Sequence, residues 1–289
     1  MENTKSKISL IISMLIFSSI GIFRKYIPLE SGMITYVRGL VGAFFLIILT
    51  FATKRMSDFA AIRKNAIMLC ISGAFIGFNW ILLFESYNYT SVAVATLCYY
   101  MAPVFVILAS PFLFGERLSL KNIICVVGAI AGMVLVSGIL SEKEINFSEM
   151  KGILLGLGAA VLYACVVLIN KKIDGIGAED KTTVQLFSAA VVILPYVWFF
   201  EGLPGKESFT PTVLILLAVV GIIHTGVAYA MYFGSMKNLK AQTVALFSYV
   251  DPVGAIILSV LILNESMNMI TLVGTVMVLG FTLFNELTE

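Results

Sequence analysis

Residues 77–116, GFNWILLFESYNYTSVAVATLCYYMAPVFVILASPFLFGE, and residues 226–265, GVAYAMYFGSMKNLKAQTVALFSYVDPVGAIILSVLILNE, decide the fold between them. Laid over each other at an offset of 149 positions without a gap, they share ten identities in forty columns. Gly77, Phe84, Ser86, Leu97, Tyr100, Pro103, Val104, Ile107, Ser110 and Glu116 fall on Gly226, Phe233, Ser235, Leu246, Tyr249, Pro252, Val253, Ile256, Ser259 and Glu265. Apolar composition inflates chance matches, but Tyr-x-x-Pro followed thirteen residues later by Glu is not a composition effect. The chain reads as two homologous halves.

Both segments are far too apolar for a soluble protein, and so is the rest. Of 289 residues 60% are hydrophobic and 12% charged, against about 25% charged in an ordinary soluble domain; the mean hydropathy is +1.00. Helices of roughly 20 residues cross a hydrocarbon layer of about 30 Å. Breaking the apolar runs at charges and at Pro/Gly places spans at 8–23, 32–52, 66–84, 92–114 and 123–140, then 152–169, 183–200, 213–233, 241–263 and 270–284. The expectation is an all-α integral membrane protein of ten transmembrane helices, with no soluble domain. The runs lack the alternation of a β-barrel. The run at 8–23, preceded by Lys5 and Lys7, is read as the first helix and not as a signal peptide, because no small-x-small cleavage site follows it.

Thirteen lysines and arginines fall on the side of Lys5 and Lys7, five on the side of Arg24 and Lys25, and Arg38 alone inside a span, which accounts for all 19. The positive-inside rule then puts both termini in the cytoplasm and the protein in the cytoplasmic membrane. Five helices per half make each half cross an odd number of times, so residues 1–141 and 150–289 should be inverted repeats. Such pairs surround a site near the bilayer midplane and open it to alternate sides. Nucleic acid and nucleotides have no footing, since the net charge is only +2 with no basic block and no phosphate-binding loop. Cys70, Cys98, Cys125 and Cys165 lie inside apolar runs without paired spacing and read as small buried side chains. No cofactor or metal is expected. Nor is an enzyme, for HExxH, GxSxG and acidic metal clusters are all missing from the sequence.

The segments 91–135, SVAVATLCYYMAPVFVILASPFLFGERLSLKNIICVVGAIAGMVL, and 241–267, AQTVALFSYVDPVGAIILSVLILNESM, resemble the drug/metabolite transporter superfamily and within it the ten-helix EamA group. Lys25 closing the first helix, Arg38 in the second and GAAVLYACVVLINKK in the sixth support the resemblance, which covers nearly the whole chain. It implies a basket-like fold and transport, often as export, of amino acids, nucleosides, sugars, quaternary amines or toxic metabolites. It also includes an arginine at the position of Arg38.

Polar residues inside spans are costly and mark function or helix pairing. Asp251 lies about ten residues into the ninth span, roughly 15 Å along its axis: a proton carrier or a ligand for a cationic group, or else a partner for backbone freed before Pro252. Its mate in the first half is Ala102, so the duplicated fold does not require the charge. His224 is the one histidine, able to exchange protons near neutral pH or to make a neutral helix-to-helix hydrogen bond. Arg38 suits a substrate carboxylate, a pairing with Asp251 or Glu85, or an anchoring role. Glu85 itself reads as an interfacial cap.

Asn79, Trp80, Tyr99 and Tyr100 in the first half, with Tyr229, Tyr232, Ser248 and Tyr249 in the second, suggest two symmetric aromatic walls, fit for an apolar or cationic moiety. Tyr163, Asn170 and Gln185 are weaker candidates. Pro103 and Pro252 should kink their helices, Gly77 and Gly226 allow close helix contact, and Glu116 and Glu265 serve as caps or ion-pair partners.

The reading that results is a secondary active transporter of a small polar metabolite. Proton-coupled export of amino-acid-like zwitterions by alternating access is favoured, with lipid, protons and the solute as partners, in a monomer or homodimer. The alternatives are a carrier of quaternary amines or other cationic solutes and, more distantly, a non-transporting scaffold.

Overall fold

The computed structural model describes residues 2–54, 56–115, 118–136, 147–236, 239, 244 and 247–288. Among these no strand occurs. The helices are α1 (Glu2–Ser18), α2 (Ile20–Tyr26), α3 (Ser31–Ala52), α4 (Phe59–Lys64), α5 (Ala66–Tyr89), α6 (Val92–Tyr99) and α7 (Ala102–Phe114). There follow α8 (Leu120–Val136), α9 (Phe147–Lys171), α10 (Ala178–Tyr196), α11 (Pro211–Ala218), α12 (Ala228–Met236), α13 (Val250–Leu263) and α14 (Met269–Thr288). Two π-helical stretches, Val197–Glu201 and Val219–Val227, continue α10 and join α11 to α12.

Seven continuous helical stretches are long and apolar enough to cross a membrane: Thr4–Tyr26, Ser31–Ala52, Ala66–Tyr89, Val92–Phe114, Phe147–Lys171, Ala178–Glu201 and Pro211–Ser235. Three shorter apolar helices accompany them, Leu120–Val136, Val250–Leu263 and Met269–Asn285. The protein is therefore an all-helical, multi-pass membrane protein. The first part of the ninth expected span, around Ala241, lies largely outside the described residues, as does Glu116.

Several spans are interrupted, for local reasons. Ser18 and Ser19 donate their hydroxyls back to Leu15 O at 2.8 Å and Ile16 O at 2.9 Å, and such back-bonding competes with the helix ladder; α1 and α2 part at Ser19. Pro103 and Pro252 do more than bend a helix. Each sits in the first turn of a new one, α7 and α13, where a missing N–H leaves no bond unmade.

Packing comes in pairs. Helix α5 packs on α9 and α12 on α1; α10 lies against α5 and α3 against Val219–Val227; α6 and α7 meet α9, and α13 meets α1. By span order each contact has its counterpart with the halves exchanged, while α3–α10, α8–α14 and α6–α13 are their own counterparts. Glycines set the closest approaches. A Cβ on Gly132 would lie 2.8 Å from Gly274 O, and one on Gly274 would lie 2.6 Å from Gly132 O, so α8 and α14 touch backbone to backbone.

Carboxylates close open helix starts at one end of the bundle. Glu201 accepts from Gly32 N at 2.7 Å and Met33 N at 3.0 Å at the start of α3. Glu265 accepts from Val92 N at 2.8 Å and Ala93 N at 3.3 Å at the start of α6. A helix N-terminus presents unpaired N–H groups and partial positive charge, so Glu265 acts as a cap from a distant part of the chain. Lys25 donates to Tyr87 O at the same end. At the opposite end Asp180 accepts from Ser57 Oγ at 3.1 Å and Asp58 N at 3.4 Å. All four cysteines are free; Cys98 and Cys125 are buried as expected, Cys165 is partly exposed, and Cys70 is exposed although its Sγ accepts from Ser188 Oγ of α10 at 3.6 Å.

Candidate functional site

Arg38, about two turns into α3, is buried, with 5% of its surface exposed. Its guanidinium carbon lies 3.7 Å from the centre of the Trp80 ring and 5.6 Å from that of Phe84, both on α5. Its Nε donates to Thr225 Oγ1 at 2.8 Å. That is the guanidinium's hydrogen bond among the described residues, where no carboxylate pairs with it. A flat cation on an aromatic face is attracted by the ring's quadrupole, and the stack fixes the plane of the fork without consuming its terminal donors.

Asp251 stands in the first turn of α13, where the helix's positive end favours a carboxylate. It accepts from Tyr100 Oη at 2.8 Å. The expected pairing of Arg38 with Asp251 or Glu85 is not formed: Asp251 has the tyrosine, and Glu85 accepts from Ser31 Oγ at 2.9 Å and Asn88 Nδ2 at 3.1 Å. Arg38 and Asp251 nevertheless lie within electrostatic range of each other and of Tyr99 and Tyr229. Tyr99, Tyr100, Tyr229 and Asp251 are surrounded by protein yet keep part of their surface accessible. Side chains so deeply surrounded yet partly accessible imply a hollow in the helix packing beside Asp251, and neither charge takes the other as its partner.

Rings follow one another beside Asp251. Tyr163 and Tyr99 have centroids 5.3 Å apart, Tyr99 and Tyr100 6.0 Å, and Tyr100 and Tyr249 6.2 Å. On the other flank Phe17 of α1 meets Tyr229 edge-on at 5.1 Å and Tyr232 at 6.5 Å. Tyr163, a weak candidate from sequence, touches the stronger ones through Tyr99.

Other expected site residues are engaged elsewhere. Asn79 donates to Ala159 O at 2.5 Å and joins α5 to α9. Ser248 donates to Val244 O, one turn back, at 2.8 Å. His224 Nε2 shares a hydrogen bond of 2.9 Å with Ser19 Oγ, and its ring lies 4.6 Å from that of Phe23. The histidine thus ties Val219–Val227 to the break between α1 and α2. Gln185 donates to Ser72 Oγ at 2.6 Å and Asn170 Oδ1 at 2.7 Å, a buried polar link. Thr225, Phe17 and Ser19 were not singled out in the sequence; Thr225 carried a signal there, as a hydroxyl in mid-span beside the lone histidine.

A model of the EamA-like transporter family matches this sequence twice, over residues 4–138 and 150–286. The chain belongs to that family. An "Uncharacterized transporter YxxF" of Bacillus subtilis (strain 168) is 28% identical over 279 residues, covering 96% of this chain and 88% of the relative. A "Probable amino-acid metabolite efflux pump" of Escherichia coli (strain K12) is 26% identical over 208 residues, 68% of each chain. A solved crystal structure superposes with a TM-score of 0.65 at 18% identity, covering 96% of this chain and 95% of that one, and supports the fold alone.

A second cavity of about 360 Å³ lies among Glu30, Ile81, Glu85, Tyr196, Phe200 and Glu201. Two of its carboxylates already hold structural partners, Glu201 at the start of α3 and Glu85 at Ser31 and Asn88.

Proposed function

We propose that this EamA-like transporter is a secondary active carrier that exports amino-acid-like zwitterions in exchange for protons. The observation that carries the reading is the pair Arg38 and Asp251: opposite charges within electrostatic range of each other, each held by a neutral neighbour, Thr225 or Tyr100, and left without an ionic partner among the described residues. A zwitterion supplies both missing partners at once. Its carboxylate meets the terminal nitrogens of Arg38, a planar fork matched to carboxylate geometry. Its ammonium meets Asp251, with the faces of Tyr99, Tyr100 and Tyr229 around the remainder. When no amine is present, Asp251 carries the proton. The amino-acid metabolite efflux named for the relative agrees with this chemistry.

Transport follows by alternating access. In this reading the halves at 1–141 and 150–289 are inverted five-helix repeats with both termini cytoplasmic, ten spans in all. The pairing of helix contacts under exchange of the halves supports it. Exchanging the two halves' conformations opens the hollow to one side and then the other.

The test is a thermal-shift screen of purified protein against amino acids, quaternary amines, nucleosides and sugars, since a ligand bound only by the folded state raises its stability. Stabilisation by amino acids that disappears in Arg38→Ala is the expected result; stabilisation by nucleosides or sugars alone would sink it. The row of rings Tyr163, Tyr99, Tyr100 and Tyr249 beside Asp251 favours a second reading, a carrier of quaternary amines. In that case quaternary amines stabilise the protein and continue to do so in Arg38→Ala.

A further inference from the structure

The fork of Arg38 points usefully only if something fixes its rotation on Trp80, and a ring face alone does not. Thr225 supplies the missing constraint. It is fully buried, and its Oγ1 makes two hydrogen bonds: it donates to Val220 O at 3.0 Å and accepts from Arg38 Nε at 2.8 Å. The partner five residues back is available because Val219–Val227 is π-helical, a form that recurs at functional sites. With its hydrogen committed to Val220, the hydroxyl presents only lone pairs to Arg38. The Thr225 methyl is fixed as well, because it occupies the space left by Gly42, where an added Cβ would lie 2.4 Å from Thr225 Cγ2.

We propose that Thr225 is the positioning residue of the carboxylate site, its hydroxyl locking the Arg38 guanidinium flat on Trp80 so that both terminal nitrogens face the hollow. This rests on the role given to Arg38 above, but its first test needs no substrate. The chain has two tryptophans, Trp80 and the 60% exposed Trp198, so Trp198→Phe leaves Trp80 as the sole tryptophan, excited selectively at the red edge where tyrosine does not absorb.

In that background, without ligand, Arg38→Ala is expected to shift Trp80 emission. Thr225→Val, which keeps the γ-methyl, should shift it in the same sense, and Thr225→Ser, which keeps the hydroxyl, should restore the parent spectrum. A Thr225→Val spectrum equal to the parent's overturns the proposal, and so does an Arg38→Ala spectrum equal to the parent's. Should Thr225→Val fail to fold, Gly42→Ala serves instead; it must displace Thr225 and shift the emission likewise, and an unshifted spectrum counts as refutation. Titration with a mixture of zwitterionic amino acids then reads affinity, expected to fall roughly tenfold in Thr225→Val, the worth of one hydrogen bond to a charged group. If no amino acid binds while the ligand-free spectra behave as stated, the zwitterion reading fails and the positioning role stands.

Discussion

Arg38 and Asp251 show what a single residue can and cannot say before its neighbours are known. Their charge inside apolar runs marked them in the sequence, because ionised groups at that depth are costly. Their partners were not legible: Arg38 meets Trp80 and Thr225, 42 and 187 positions away, and Asp251 meets Tyr100 from the other half. Nothing in a linear pattern encodes such distances. Replacing Asp251 with Asn is expected to abolish the dependence of transport on pH in reconstituted vesicles, measured as solute flux across imposed pH gradients; an unchanged profile would remove Asp251 from the proton path. Replacing Tyr100 with Phe deletes the hydroxyl that Asp251 uses, and a buried acceptor left unsatisfied costs about 1–3 kcal/mol. Thermal melting of that variant at neutral pH should show the loss.

Elements were easier to read in outline than at their joints. Apolar runs pointed to helices, of which seven are long enough to cross a membrane and three are shorter, since a membrane leaves helices and closed barrels as the ways to satisfy a backbone. The π-helical stretches and the break at Ser19 escaped, because a one-residue shift of backbone hydrogen-bond partner, or a serine hydroxyl bonding back to a carbonyl, leaves no periodicity behind. The prolines pointed to kinks and proved to start new helices. Close helix contacts give a sharp test in α8 and α14. Gly132→Val forces a branched side chain against Gly274 O and Met277 Cβ and should cost about 1–3 kcal/mol by overpacking. Gly280→Ala on α14, with nothing within 4 Å of the added carbon, should be neutral or raise stability by up to about 1 kcal/mol through helix propensity. Melting curves of both proteins in one detergent compare them directly.

For the whole molecule, the helix contacts pair off when residues 1–141 and 150–289 are exchanged, in keeping with the duplication proposed from residues 77–116 and 226–265. The two ends of the bundle are fastened by different chemistry: Asp180 holds a loop at one, while at the other Glu201 and Glu265 hold the starts of α3 and α6. The Glu265 clasp has a kinetic meaning if α6 moves during transport. Because it joins the loop after α13 to the first turn of α6, any parting of those elements must first break two charge-assisted hydrogen bonds, and re-form them on the return. The clasp then acts as a latch whose release adds to the barrier of each cycle. Loosening it should speed opening at that end while leaving the affinity of the hollow untouched, and Glu265→Gln, which weakens both bonds without emptying the space, should raise solute exchange rates at constant binding strength.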